Sequence, residues 1–190
     1  MIIETIVTTT AADGTVNFAP MGVEWGEDQL VLRPYVETVT FANLVATGQA
    51  VVNLTDDVMC FAQGAIASPQ FRSFPATMVK GVVLEAACSW REIEVMEATT
   101  SPPRARFVGR LLHRGFVREF LGFNRARNAV LEAAILATRT RMLPIDDILE
   151  QLARLQIPVD KTAGPREREA MALLSDYIRG EAAALQEAAP

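Results

Sequence analysis

Apolar and polar residues alternate in short runs over the first two thirds of the chain, with Gly, Asp and Pro between the runs. Over the last third, apolar residues return every three or four positions. The first pattern predicts strands and the second helices. Residues 2–10 are β-branched almost throughout and predict a strand. Asp13-Gly14 is a hairpin turn signal, and residues 16–25 form the second strand. Gly26-Glu27-Asp28 turns the chain into a third strand, 29–35, with Pro34 at its end or on an edge because it cannot donate to a ladder. Thr38 or Thr40 caps a helix through Phe41, Leu44 and Val45 that stops at Gly48. Residues 50–55 are a short apolar strand. Asp56 or Asp57 caps a second helix, closed by Ser68-Pro69. A long β-rich run, 78–96, is expected to break near Trp90-Arg91, and 105–120 to form another long strand after the turn at Ser101-Pro102-Pro103. Asn124 caps a helix to about Leu143, and Pro144 opens the next, in which Ile145, Ile148, Leu149, Leu152 and Leu155 share a face. Gly164-Pro165 opens a last helix with Met171, Leu174 and Ile178 on one side. Its tail, GEAAALQEAAP, is expected to fray.

Strands joined by hairpin turns, without regular βαβ units, favour an antiparallel barrel over a doubly wound sheet. The expected fold is therefore mainly β with α (α+β): a barrel domain over 1–122 and a helical region over 123–190. Half of the 190 residues are hydrophobic, enough for a sizeable core. The net charge of −5 argues against a generic nucleic-acid binder. The N-terminus lacks the pattern of a signal peptide, and the longest uncharged run, 38–55, is interrupted by Thr, Asn, Gln and Gly, so no membrane span and a cytoplasmic location are expected. Cys60 and Cys88 lie far apart with no CxxC pattern, which favours buried free thiols. His113 is the sole histidine, so no metal site and no histidine-based triad find support.

No dinucleotide, Walker, nucleophile-elbow or zinc-protease motif occurs. What remains is cofactor chemistry or binding alone. The stretch 16–57 offers most. A helix start carrying Thr38 and Thr40 presents free N–H groups, two hydroxyls and the positive end of the helix dipole, which together suit a phosphate. Arg33 lies one strand end away and could add a charged fork. In Ala19-Pro20-Met21-Gly22 one residue lacks an N–H and another lacks a side chain, so a flat ring could approach the strand closely. Asn17 both donates and accepts, as a ring with carbonyls and an N–H requires. The plainer account makes Thr38 a structural cap, Arg33 solvated and Ala-Pro-Met-Gly a kinked edge. Physics alone leans slightly toward that account.

IIETIVTT, NFAPMGV, RPY followed by T-x-T-x-x-NL, VVNLTDD, FNRARNAVLEAAILATR and KTAGPREREAM, in that order, resemble a domain-of-unknown-function family with a flavin-reductase-like, FMN-binding split barrel. The likeness spans nearly the whole chain. It implies a split β-barrel, a homodimer and FMN near the subunit interface, with NAD(P)H or another reduced carrier as electron donor. By this resemblance Arg33, Thr38 and Thr40 hold the FMN phosphate with Asn43 nearby, and Asn17, Ala19, Pro20, Met21 and Gly22 face the isoalloxazine ring. Arg125, on a helical face with Asn128, Glu132 and Arg139, could add charge to the phosphate; a solvated face explains the same spacing equally well. Arg106, Arg110, Arg114 and Arg118 share a strand face, for which pairing with glutamates of 85–97 is preferred over an anion-docking strip.

The resemblance suggests a flavin-dependent oxidoreductase, with a pterin or one-carbon intermediate as one substrate class. An FMN-binding carrier, sensor or assembly protein is the alternative, and a structural dimer without cofactor a third reading.

Overall fold

β1 (Ile2–Thr10) and β2 (Val16–Trp25) form a hairpin paired from Ile2↔Glu24 to Thr10↔Val16. The Asp13 carboxylate accepts the Thr15 N–H at 2.9 Å, and Gly14 takes the left-handed backbone that the turn needs (φ 94°). Four more strands complete the first unit's main sheet: β3 (Gln29–Leu32), β4 (Gln49–Leu54), and β7 (Ser89–Thr99) and β8 (Arg106–Phe116), which follow the small hairpin of β5 (Ser73–Pro75) and β6 (Val82–Leu84). All pairings are antiparallel, and the order β1-β2-β3-β8-β7-β4 closes on itself as a barrel in this computed structural model, which describes residues 1–187.

Alternate residues point inward, as the sequence pattern requires. Val7, Val23, Leu30, Leu32, Val52, Ile93 and Phe107 meet in the core. The helix α1 (Val39–Thr47) adds Leu44 and Phe41, the latter with its ring 5.9 Å from that of Phe107. The outer face of β1, β4 and β7 carries the β5–β6 hairpin: the Thr8 hydroxyl donates to Val82 O at 2.6 Å, and Asn53 Oδ1 accepts the Leu84 N–H at 2.9 Å.

The second unit gathers α2 (Val58–Ile66) with α3 (Arg125–Ala137), α4 (Ile145–Thr162) and α5 (Pro165–Glu187). Thus residues 57–67, which fall between two barrel strands in sequence, group with the C-terminal helices. Its core is built from small and medium side chains, among them Ala129, Val130, Ala133, Met171, Leu174 and Ile178. Arg166 forks onto the Asp57 carboxylate at 3.1 and 3.0 Å, and Arg127 meets Glu167 at 3.0 Å.

Several boundaries depart from expectation. β3 stops at Leu32, because Pro34 cannot extend a ladder; Tyr35 keeps only an isolated bridge to Arg104. β7 runs straight through Trp90-Arg91, and the break comes earlier, between β6 and β7. β8 ends at Phe116 rather than at residue 120, and α3 ends at Ala137 rather than near Leu143. α5 continues through Gly180 to Glu187, so only the end of the tail expected to fray, 188–190, lies outside the described residues.

Candidate functional site

β2 is paired with β1 along its whole length but with β3 only at Glu24 and Trp25. From Val16 to Val23 its second edge therefore has no strand partner among the described residues. Trp25 donates its N–H to Met1 O at 2.8 Å, so odd-numbered residues of β2 turn their backbone groups to β1 and even-numbered ones to the open edge. Gln70 Nε2 reaches Val16 O on that edge at 3.3 Å. Farther along, the open edge offers the N–H groups of Phe18 and Gly22 and the carbonyls of Phe18, Pro20 and Gly22. Pro20 sits where its missing N–H costs no ladder bond. Gly22 lies under side chains of β1: a Cβ there would be 2.8 Å from Ile2 Cγ2 and 3.0 Å from Glu4 Oε1.

α1 starts beside this hairpin. Asn17 Nδ2 donates to Thr40 Oγ1 at 3.0 Å, and Asn43 Nδ2 donates to Thr9 Oγ1 at 3.1 Å. Thr40 and Asn43 are buried, at 2% and 4% exposure, so their side chains pin α1 to the β1–β2 hairpin. Thr38 is the N-cap: its hydroxyl accepts the Phe41 N–H at 3.3 Å and donates to Tyr35 O at 2.8 Å. Gly48 closes the helix in the left-handed region (φ 65°). The first turn carries no acidic residue, so its dipole end and the N–H groups of Val39 and Thr40 suit an anion. Replacing Thr38 with alanine is expected to cost about 1 kcal/mol in denaturant unfolding, the usual loss for a cap.

The structure thus brings Asn17, Thr40 and Asn43 together, with Thr38 at the mouth of the same helix and residues 19–22 on the neighbouring strand. Arg33 is exposed, and its Nε is hydrogen-bonded to Glu24, whose carboxyl that contact holds below the usual glutamate range. Arg125 is the exposed first residue of α3, in the helical unit. Arg104 escaped the sequence reading. It bridges Tyr35 across the sheet, with its guanidinium 4.1 Å above the Tyr35 ring. The only local signal for it was an arginine after Pro102-Pro103, opposite an Arg-Pro-Tyr.

Other candidates resolve into structural roles. Arg106 and Arg110 pair with Glu97 and Glu94 of β7, as the pairing reading required, while Arg114 and Arg118 turn to Asp28 and Asp56. Cys60 and Cys88 are buried free thiols; burial pushes Cys60 up to about 12 and raises Cys88, which disfavours the thiolate at both. His113 lies with its ring 5.9 Å from that of Trp90. No group of three or more His, Cys, Asp or Glu suited to a metal occurs among the described residues, and no helix there is long and apolar enough to cross a membrane.

The closed six-stranded antiparallel barrel, with a short helix against its core, is a fold also found in solved flavin reductases. The chain belongs to the family described as "Protein of unknown function (DUF447)": its N-terminal domain matches residues 3–118 and its C-terminal part residues 124–176. An FMN-bound protein of this family from Methanosarcina mazei is similar over 93% of this chain and 94% of its own, with a TM-score of 0.80 and 24% identity. The 2-nitrobenzoate 2-nitroreductase of Pseudomonas fluorescens matches 60% of this chain and 64% of its own (TM-score 0.53, 19% identity). The styrene monooxygenase flavin reductase of Pseudomonas putida matches 60% and 81% (TM-score 0.51, 15% identity).

Proposed function

We propose that this protein binds FMN and works as a flavin-dependent oxidoreductase. The observation that carries the reading is the unpaired edge of β2 lying beside the start of α1. The edge supplies donors and acceptors for the rim of a flat heteroaromatic ring, and the helix start supplies N–H groups and positive dipole for a phosphate. The family relationship supports this, since the Methanosarcina mazei member is FMN-bound. In this reading Asn17, Ala19, Pro20, Met21 and Gly22 face the ring, and Thr38, Thr40 and Asn43 shape the phosphate end, to which an arginine lends charge. Thr40 would contribute its backbone N–H, because its hydroxyl already serves Asn17.

Bound FMN supplies hydride or electron transfer. The chain's own part is then to orient the ring along β2, to neutralise the phosphate and to shield one face of the ring from water. No nucleophile or general base of the chain is required in this reading. A homodimer with the flavin near its interface, reduced by NAD(P)H or another carrier, completes the proposal. A carrier or sensor without turnover would use the same residues.

The test is a titration of purified protein with FMN, followed by absorption and by flavin fluorescence. Saturable binding with a shifted flavin spectrum, and bleaching by NADH, NADPH or a reduced deazaflavin, is expected. Failure to take up FMN overturns the reading; uptake without reduction by any donor and without transfer to any acceptor selects the carrier.

A further inference from the structure

We propose that Arg104, rather than Arg33, supplies the positive charge for the phosphate at the start of α1; this rests on the FMN reading above. The two arginines differ in what already holds them. Arg33 is paired with the Glu24 carboxylate, so its charge is largely answered within the protein. Arg104 forms no ion pair among the described residues. It is nevertheless held in one orientation: its guanidinium stacks 4.1 Å from the Tyr35 ring centroid, Nη2 donates to Tyr35 Oη at 2.9 Å, and Nη1 reaches Arg33 O at 3.5 Å.

The backbone around it is equally fixed. Ala105 donates its N–H to Pro34 O at 3.0 Å and Val36 donates to Pro103 O at 3.2 Å, so segments 33–36 and 103–105 are stitched together. Tyr35 joins the two features. Its ring carries Arg104, and its carbonyl accepts both the N–H of Thr38 at 3.1 Å and the Thr38 hydroxyl at 2.8 Å, which sets where α1 begins. One residue therefore couples the free cation to the helix start. A planar guanidinium already stacked and oriented loses little freedom when it closes on a phosphate. Glu37, exposed just before the cap, is the acidic residue of this segment; it makes no ion pair among the described residues. The remaining edge of the Arg104 fork is thus free to answer a dianion. Tyr35 is a positioning residue in this scheme.

The experiment compares Kd for FMN and for riboflavin, which has the same ring and no phosphate, in the wild type and in Arg104→Ala, Arg104→Lys, Arg33→Ala and Tyr35→Phe. Arg104→Ala is expected to weaken FMN about tenfold or more while riboflavin is unchanged, the scale of a lost charged hydrogen bond. Arg104→Lys should recover part of the loss, and Arg33→Ala should change the FMN-to-riboflavin ratio less. If Arg104→Ala leaves that ratio unchanged, or Arg33→Ala moves it more, the assignment is wrong while the FMN reading stands. A wild type that binds neither flavin overturns both.

Discussion

Replacing Glu92 with alanine is expected to destabilise the barrel unit by about 3 kcal/mol, because one buried carboxylate accepts four hydrogen bonds that are lost together. Glu92 is fully buried on the outer face of β7. Its Oε1 accepts the Thr77 N–H at 2.9 Å and the Trp90 indole N–H at 3.0 Å, and Oε2 accepts the N–H groups of Met78 and Val79. Three successive backbone donors converge on one carboxylate, which therefore anchors the loop between β5 and β6. Truncation leaves all of them without an acceptor; the Val79 and Trp90 donors belong to buried residues, where an orphan costs about 1–3 kcal/mol. Burial alone would push the Glu92 carboxyl up, but the four hydrogen bonds outweigh it and hold the group below its ordinary 4.5. With a folded value below the unfolded one, the stabilisation is complete above pH 4.5 and is lost as pH falls through the lower folded value. Thermal unfolding of the wild type should weaken across that window. Glu92→Gln should be less stable at neutral pH and flatter below 4.5; parallel pH profiles for the two proteins would refute the assignment.

The second large effect is expected from Gly115→Val. Gly115 faces Trp90 across the β7–β8 pair, and a Cβ there would lie 2.0 Å from Trp90 Cζ2. The indole has nowhere to go. Phe74 meets it edge-on at 5.7 Å, His113 lies at 5.9 Å, and Glu92 holds its N–H. Overpacking of this kind costs about 3 kcal/mol or more when the neighbour is a rigid ring. Denaturant unfolding followed by tryptophan fluorescence measures it. Adding Trp90→Leu to Gly115→Val should recover part of the loss, and strict additivity of the two changes would show that the clash is not the cause.

Much of the fold was legible because it is written locally. Asp13-Gly14, Thr38 with Gly48, Asp57 and Asn124 each carry the chemistry of a turn or cap within a few residues, and each does that work in the structure. The errors fall where a partner far away decides. A break was expected near Trp90-Arg91, yet Gly115 opposite leaves room for the Trp90 ring and β7 runs through. The candidate site was legible in part for the same reason. Asn17, Thr40 and Asn43 were singled out by resemblance, for the ring and the phosphate separately, and their contacts in the structure join a hairpin and a helix that are neighbours in sequence. Arg104 lies 69 residues from Tyr35, and no periodicity connects the two. Glu92 looked like one more charge on an alternating strand, since nothing local tells a solvated glutamate from one wrapped by a loop.

The open edge of β2 has a second consequence. A strand with one bare side normally invites another strand, whether from a neighbour or from a misfolded copy, and so invites aggregation. Here Pro20 sits in the middle of that side with no N–H to offer. An intruding polypeptide would find its ladder interrupted where it should be continuous, whereas a small planar molecule needs only the few groups on either flank. One residue thus lets the edge stay unpaired without becoming sticky to protein.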